Sequence, residues 1–340
     1  MSEIGPRLSI IIAAPPDQEV LRSIESLKCL NASPNFAEVI VVRGCMPSIQ
    51  RNVAVKHASG EWLYFLDDDS MLSQQTWSGV IEWIGKGDVD VVGGPNLCPQ
   101  DASFVQSLFV VLLGSMLTFG PSRARYVSLG EVRRSSEKEL ILCNLMVRKS
   151  AFEKAGGFDE ALYPNEENAL MESIGQSGGK IFYDPKLSVD RYPRSTMSAF
   201  FRMLFRYGCG RAQQFRRHPS TGSLLNMAPA IFLIYSLVVV GLFVFAVVPT
   251  VSTSGMILLS PFMLYGMALV GQMLLNIKTF RMTRSVLAMP MMFFCHVFYG
   301  AGFWAGCLMF VGHDRSTFDA SEVFIEKVSI TNPSVDSPTL

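Results

Sequence analysis

The sequence has little that would direct it to nucleic acid or to secretion. Its 29 basic and 29 acidic side chains cancel, so no net positive charge is available to attract a polyanion. The seven cysteines form no CxxC pair and no cluster with histidine, which indicates reduced thiols rather than a disulfide framework or a zinc site. Because the N-terminus lacks a basic segment followed by an apolar run, we expect no signal peptide and a first domain that stays in the cytosol.

Charge is also scarce, and the shortage is local. Only 17% of the residues are charged and 49% are hydrophobic. Between Leu224 and Val311 the only Lys, Arg, Asp or Glu residues are Lys278, Arg281 and Arg284. Three apolar runs lie in this region, at residues 224–248, 256–275 and 286–311, and each is long enough to cross roughly 30 Å of hydrocarbon. The sequence therefore predicts an all-α C-terminal region of about three transmembrane helices.

The distribution of positive charge predicts the orientation of these helices. Arginines precede the first run, and the three basic residues named above lie between the second and third runs. The positive-inside rule then places the N-terminal domain, residues 1–190, in the cytosol and the polar tail, residues 312–340, outside. Residues 191–223 combine arginine with aromatic side chains, which is typical of an interfacial amphipathic segment and less so of a nucleic-acid patch. We expect a multi-pass protein of the inner cell membrane.

Two apolar features have more than one interpretation. The stretch Phe104–Phe119 is too short to span a bilayer, so it predicts either a core helix or a helix at the membrane interface. Gln272 and His296 lie inside predicted spans, where they either form hydrogen bonds between helices or contact a lipid carrier.

The first 190 residues alternate between strand and helix patterns. Apolar or β-branched strands are predicted at Leu8–Ala14, Glu38–Val42, Trp62–Leu66 and Val89–Val92. Segments with helical spacing separate them, and Ser48 is a candidate cap for one of these helices. Later strands are predicted at Leu140–Val147 and Lys180–Tyr183, and a helix opens near Asn165. This order favours an α/β fold with a mostly parallel sheet flanked by helices.

Three carboxylates, Asp67, Asp68 and Asp69, end the third strand. Taken alone, the triplet is either a solvated acidic turn or a cation site. Ligands of open α/β sheets bind at the carboxyl ends of the strands, and adjacent carboxylates repel one another unless a cation neutralises them. Hard oxygen ligands select Mg²⁺, Mn²⁺ or Ca²⁺.

Several motifs occur in an order that is specific as a set: SIQRNVAV at residues 48–55, ASGEWLYFLDDDS at 58–70, GGFDE at 156–160 and NEENAL at 165–170. This set resembles the inverting family 2 glycosyltransferases of the GT-A (Rossmann-like) fold. The resemblance covers Leu8 to Arg217, and the membrane half resembles that of bacterial enzymes of the exopolysaccharide or succinoglycan type.

The resemblance implies roles for individual residues. The triplet matches the DXD motif, so Asp67 and Asp68 are expected to contact the nucleotide, and Asp69 with Asp67 to bind Mg²⁺ or Mn²⁺. The pair Glu166–Glu167 matches the position of the catalytic base, for which we expect Glu167 rather than Glu166. Further donor-binding residues by the same resemblance are Arg51, Asn144 and Arg206.

The departures from the family pattern are informative. Met203 and Tyr207 replace the Gln and Trp of the QxxRW motif that surrounds Arg206 in processive members, which argues against a processive synthase. Arg43 and Gly44 stand where many members carry an acidic pair that reads uridine. A UDP-sugar is the expected donor, although this position does not support it.

The sequence thus predicts a metal-dependent inverting hexosyltransferase that moves one sugar to a hydroxyl of a lipid-linked glycan, with no nucleic-acid partner. One alternative is a polyprenyl-phosphate glycosyltransferase of the dolichyl-phosphate-mannose-synthase type. Such enzymes need no base, because a phosphate acceptor is already anionic. The other alternative is a catalytically silent membrane scaffold.

Overall fold

The computed structural model describes residues 6–19, 21–30, 35–162, 164–217, 219, 226–245, 252–308 and 323–329. The chain forms two compact units. The first comprises Met1–Gln100, Ala124–Tyr192 and Gly312–Leu340, and the second comprises Asp101–Arg123 and Pro193–Val311.

The described elements follow the predicted order. The strands are β1 Leu8–Ala14, β2 Ala37–Arg43, β3 Trp62–Asp67, β4 Met71–Leu72, β5 Val91–Gly93, β6 Asn96–Leu97, β7 Arg133–Arg134, β8 Asn144–Arg148, β9 Ile181–Tyr183, β10 Val189–Asp190 and β11 Phe324–Val328. The helices are α1 Arg22–Lys28, α2 Pro47–His57, α3 Gln74–Gly85, α4 Phe104–Leu113, α5 Met116–Phe119, α6 Lys149–Lys154, α7 Glu166–Gln176, α8 Met197–Arg217, α9 Ala228–Val244, α10 Thr253–Ile277 and α11 Met282–Leu308, with a 3₁₀ helix at Gly120–Arg125.

The main sheet of the first unit is mixed rather than mostly parallel. Its strand order is β11-β2-β1-β3-β8-β5-β9-β7, and β2, β1 and β3 run parallel, as expected. β8 enters between β3 and β5 antiparallel to both. The chain reaches β8 after a long excursion from β6 instead of a single crossover helix, so a parallel direction is not imposed on it. The expected α/β class is confirmed, with this correction to the strand directions.

The central strands are buried on both faces, which explains their uninterrupted apolar sequences. All five residues from Trp62 to Leu66 are 0% exposed. One face of the sheet packs against the tryptophans of α3, and the other packs against Phe152 and Phe158. Each fully buried side chain of this size contributes about 1.5–3 kcal/mol. This packing fixes the end of β3, where the acidic triplet begins.

The predicted cap of α2 is wrong. The helix begins at Pro47, and the hydroxyl of Ser48 donates a hydrogen bond to the carbonyl of Leu162 at 2.8 Å instead of capping the helix. Proline is favoured in the first turn because it has no N–H to leave unpaired. Ser48 therefore ties α2 to the segment that leads into α7.

The tail contributes a strand to the first unit. β11 pairs antiparallel with β2, with Ile325 opposite Val42. Lys327 Nζ also lies 2.8 Å from Glu38 Oε2. The expectation that the tail lies across the membrane from the N-terminal domain is therefore wrong, because a strand cannot share a sheet with a domain on the other side of a bilayer.

The second unit holds the apolar helices. Among the described residues, α10 and α11 are long and apolar enough to cross a membrane, whereas α9 has 17 residues. At a rise of roughly 1.5 Å per residue, α9 extends about 25 Å. The outer parts of the predicted spans 224–248 and 286–311 fall partly outside the described residues.

The predicted helix at Phe104–Phe119 is broken. Phe104–Leu113 and Met116–Arg125 meet at a bend of 63°, a geometry that fits a broken span or a re-entrant loop. Side chains from α10 and α11 bind the bend: Asn276 Nδ2 donates to Ser115 Oγ at 2.9 Å, Gln272 Oε1 accepts from the N–H of Leu117 at 3.0 Å, and His296 Nε2 lies 3.0 Å from the carbonyl of Leu117. Gln272 and His296 thus form the interhelical hydrogen bonds that one interpretation expected.

Candidate active site

The acidic triplet lies at the carboxyl end of β3. Asp67 is the last residue of the strand and pairs in register with Ala13 of β1. The chain then turns, with the N–H of Ser70 donating to the carbonyl of Asp67 at 3.1 Å. The hydroxyl of Ser70 donates to the carbonyl of Cys143 at 3.0 Å and holds the turn against the start of β8. The triplet is therefore fixed to the centre of the sheet.

Arg191 bridges the first and last carboxylates of the triplet. Its Nη1 lies 3.0 Å from Asp67 Oδ2, and its Nε lies 2.6 Å from Asp69 Oδ1. Because Arg191 opens a run of arginines, the sequence pattern predicts that it belongs to the interfacial segment. The structure places it in the first unit, directly after β10.

Arg51 connects the triplet to the glutamate pair. Its Nη2 donates to Asp67 Oδ1 at 3.0 Å and its Nη1 donates to Glu166 Oε1 at 3.0 Å. Residues 115 positions apart in sequence are thereby brought into one site. Since Arg51 is 5% exposed and already binds two carboxylates, its geometry favours positioning of the two motifs over the predicted contact with the nucleotide.

Glu166 is the buried member of the glutamate pair. It is 2% exposed at the start of α7. Burial and, to a smaller extent, the neighbouring Glu167 carboxylate raise the pKa of Glu166, Arg51 opposes both, and the resulting pKa is about 8. One guanidinium shared between Glu166 and Asp67 is too little positive charge to keep both carboxylates ionised in a buried place. Glu166 therefore belongs to the framework of the site.

Glu167 is partly exposed, in contrast to Glu166. Its Oε1 accepts a hydrogen bond from Asn168 Nδ2 at 3.3 Å. Asn168 Oδ1 in turn accepts from Arg125 Nη2 at 2.6 Å. The sequence does not mark Arg125 and Asn168 as site residues, since nothing in the local pattern around residue 125 indicates that it contacts α7. These contacts orient the first turn of α7 and leave Glu167 as its accessible carboxylate.

The two remaining predicted site residues, Asn144 and Arg206, lie on β8 and α8. Asn144 is 0% exposed; its Oδ1 accepts from the Tyr64 hydroxyl at 2.8 Å and its Nδ2 donates to the carbonyl of Leu187 at 2.6 Å. This burial argues against the predicted contact with the donor and shows that Asn144 holds β8 to neighbouring loops. Arg206 is exposed on α8 in the second unit, and its contact with the donor stays a prediction.

The charges of the site fit a divalent cation. Five carboxyl groups, Asp67 to Asp69 with Glu166 and Glu167, share the site with the guanidiniums of Arg51 and Arg191. Burial raises the pKa of Asp68, and the adjacent Asp69 and Asp67 carboxylates raise it further. Asp67 and Asp69 already converge on one positive group, and oxygen ligands of this kind suit Mg²⁺ or Mn²⁺.

Within the described part of the chain, however, no three side chains of the His, Cys, Asp or Glu type are arranged to hold a metal by themselves. Mg²⁺ commonly binds through one or two carboxylates together with substrate phosphates. The site therefore fits a cation that arrives with, or is completed by, a diphosphate.

Comparison with known proteins agrees with this chemistry. Residues 38–155 match the model of glycosyl transferase family 2. This segment is therefore similar to family 2 glycosyltransferase domains. The matched segment contains Arg51 and the acidic triplet, whereas Glu166 and Glu167 lie beyond its end. The resemblance of the sequence motifs to this family is confirmed.

One relative and one solved structure extend the comparison. The succinoglycan biosynthesis protein ExoA of Rhizobium meliloti (strain 1021) is 36% identical over 84 residues, which span 25% of this chain and 26% of that protein. The mannosyltransferase PcManGT from Pyrobaculum calidifontis, solved in complex with GDP-Man and Mn²⁺, has a TM-score of 0.58 at 13% identity, over 89% of this chain and 88% of that one. At this identity the second similarity shows the fold alone, and it agrees with the GT-A fold class.

Proposed function

We propose that this protein is a metal-dependent inverting glycosyltransferase of polysaccharide biosynthesis, which moves one sugar from a nucleotide-diphosphate sugar to a hydroxyl of a lipid-linked acceptor. One observation carries the proposal. Arg51 joins the DXD-type triplet to the first turn of α7, where Glu167 is the accessible carboxylate. The residues proposed to bind the metal and the nucleotide, and the residue proposed as the base, therefore belong to one site.

Glu167 is the proposed general base. Its carboxylate takes the proton of the acceptor hydroxyl while that oxygen forms a bond to the anomeric carbon. The bond between the anomeric carbon and the diphosphate oxygen breaks on the opposite face, and the electron pair leaves with the nucleoside diphosphate. Asp67 and Asp69 would hold Mg²⁺ or Mn²⁺, which when bound neutralises the charge of the diphosphate leaving group.

The donor is proposed to be a UDP-sugar, with a GDP-sugar as the competing candidate. Arg43 stands at the position where many family members carry an acidic pair that binds uridine. The Nη1 of Arg43 donates a hydrogen bond to the carbonyl of Gln18 at 2.7 Å, so this position offers no acidic group to a uridine. The mannosyltransferase from Pyrobaculum calidifontis was solved with GDP-Man and Mn²⁺, so both nucleotides belong in the donor test.

A donor screen tests the proposal. Membranes that contain the protein are given UDP- and GDP-sugars with lipid extract, and release of the nucleoside diphosphate is followed with Mn²⁺ or with chelator. We expect cation-dependent release, and a loss on the order of 10²-fold or more for Asp69→Asn, because one of the two carboxylates that fix the cation loses its charge. Asp88→Asn, whose side chain is 83% exposed, should leave the rate unchanged. Release that ignores both the chelator and Asp69→Asn would refute metal dependence.

The tail strand supports a specific membrane topology. Because β11 lies in the sheet of the first unit, the segment from Pro193 to Val311 leaves that unit and returns to it. We infer an even number of membrane crossings, two rather than three, with both the catalytic domain and the tail in the cytosol.

A fluorescent-protein fusion to the C-terminus tests this topology, because that reporter fluoresces only when it folds in the cytosol. We expect fluorescence equal to that of a fusion after Arg217, which precedes α9, α10 and α11. Active alkaline phosphatase at the same C-terminus would instead require an odd number of crossings and contradict the pairing of β11 with β2.

A further inference from the structure

Arg191 lies where the cation of the proposed reaction is expected. One guanidinium bridges Asp67 Oδ2 at 3.0 Å and Asp69 Oδ1 at 2.6 Å. Mg²⁺ binds oxygen at about 2.0–2.1 Å, so a divalent cation held by these same oxygens would lie within a few ångströms of the guanidinium. Like charges at such a distance repel strongly in a partly buried site. The cation and Arg191 therefore compete for Asp67 and Asp69.

We propose, on the basis of the metal-dependent transfer proposed above, that Arg191 is an internal counter-cation which the metal displaces and which then binds the diphosphate of the donor. The displaced guanidinium needs an anionic partner close to Asp67 and Asp69, which it binds in the absence of the metal. Arginine matches phosphate oxygens in bidentate geometry, and a diphosphate that helps Asp67 and Asp69 to hold the cation would lie close enough to be that partner.

The surroundings of Arg191 allow the side chain to move while its backbone stays in place. The N–H of Arg191 donates to the carbonyl of Leu97 at 2.8 Å, directly after the paired strands β10 and β6. The side chain itself is 21% exposed, and Asp69 is 37% exposed. The exchange requires only rotation about side-chain bonds, which occurs quickly in partly exposed residues.

This exchange makes metal and nucleotide binding cooperative. A metal that binds alone must break the two ion pairs that Arg191 makes with Asp67 and Asp69. In the described part of the chain no third acidic, cysteine or histidine ligand compensates for that loss. A nucleoside diphosphate supplies further oxygens to the metal and a new partner to Arg191. By linkage, each ligand then raises the affinity for the other by the same factor.

Titration of the full-length protein in detergent with Mn²⁺, with the free ion followed by electron paramagnetic resonance, tests the proposal without measuring activity. The titration is run without nucleotide, with UDP and with GDP. For the wild type we expect UDP or GDP to tighten Mn²⁺ binding by at least about fivefold, the lower end of typical couplings. For Arg191→Gln we expect Mn²⁺ alone to bind at least about fivefold more tightly than to the wild type, and the effect of the nucleotide to shrink accordingly.

Two further variants control for loss of charge and for misfolding. Arg191→Lys keeps one positive charge but lacks the planar group that bridges two carboxylates, so its affinity for Mn²⁺ alone should lie between those of the wild type and Arg191→Gln. Arg194→Gln removes an exposed arginine three residues further along and should titrate like the wild type.

The outcomes separate this proposal from the proposed function. If Mn²⁺ alone binds to Arg191→Gln and Arg191→Lys as weakly as to the wild type, while UDP or GDP still tightens binding to the wild type, Arg191 is not a competitor and metal-dependent transfer stands. If the wild type binds no Mn²⁺ with or without nucleotide, both proposals fail.

Discussion

Glu167→Gln is expected to lower the rate of sugar transfer by about 10²–10⁴-fold, the contribution typical of a positioned general base. Glutamine has nearly the same shape but cannot accept the proton of the acceptor hydroxyl. The side chain lies on the first turn of α7 and is partly exposed, so the substitution leaves the packing of the helix intact. Donor binding should be unchanged, because the triplet and Arg51 are not altered. Transfer rate and nucleotide affinity are measured separately on the same preparation.

Two comparisons make this result specific. Glu172→Gln, on the same helix, should retain the wild-type rate. Glu166→Gln should affect transfer less than Glu167→Gln, because Glu166 is buried and its raised pKa makes it a proton-bearing framework group at neutral pH. Full turnover by Glu167→Gln would remove the base from the proposed reaction and favour an acceptor that is already anionic, such as a polyprenyl phosphate.

Arg51→Met is expected to destabilise the first unit by about 2–3 kcal/mol at neutral pH and to abolish activity. The substitution removes the group that donates hydrogen bonds to both Asp67 and Glu166. A buried polar group that loses its hydrogen-bond partner destabilises the folded state by more than the bond itself contributes, even when, like Glu166, it bears a proton. Unfolding of the purified protein in detergent, followed by denaturant titration, measures the loss.

The pH dependence of this loss has a defined sign. The folded Glu166 holds its proton up to a pKa of about 8, whereas in the unfolded chain it ionises near its ordinary value of 4.5. Between these values the folded state binds more protons, so the stability contribution of Glu166 falls as the pH rises. Arg51→Met removes the cation that opposes this effect and so raises the folded pKa further. The defect should therefore be nearly constant between pH 5 and pH 7 and grow as the pH rises through about 8, where Glu166 of the wild type ionises beside Arg51.

The double variant Arg51→Met with Glu166→Gln should recover part of the stability above pH 8, because glutamine carries no charge to leave unpaired. Activity should not return, since Arg51 no longer joins Asp67 to α7. A loss of stability that is equal at pH 7 and pH 9 and equal in the single and double variants would show that packing of the arginine stem, rather than charge, causes the defect.

Much of the fold could be predicted from the sequence because the strands of the first unit are buried on both faces. Trp62–Leu66 is readable as a strand since each of its residues faces the core, and the acids that follow mark its end. The direction of β8 could not be predicted, because a pattern of apolar residues indicates that a strand is buried but not whether it runs parallel or antiparallel to its neighbours. β11 could not be predicted for a related reason. Phe324–Val328 is an edge strand with two charged residues, so it lacks a continuous apolar pattern. Its pairing partner, β2, is almost three hundred residues away in sequence.

The site was predictable where it depends on local motifs and not where it depends on long-range pairs. The triplet and the glutamate pair are contiguous in sequence, so their residues were found. The choice between Glu166 and Glu167 depends on burial against Arg51, which no local pattern shows. The role of Arg191 could not be predicted, because it stands in a run of arginines and its ion-pair partners are more than a hundred residues away in sequence. Asn144 is predicted to line the cleft, but its side-chain amide forms hydrogen bonds with the hydroxyl of Tyr64 and the carbonyl of Leu187 instead.

The anomeric configuration of the product tests the central claim most directly. If Glu167 deprotonates the acceptor while Asp67 and Asp69 serve the departing diphosphate, transfer is a single displacement. The product formed from whichever nucleotide sugar is active should then have the anomeric configuration opposite to that of the donor, as measured by proton nuclear magnetic resonance of the isolated glycolipid. A product that retains the configuration of the donor would contradict the account.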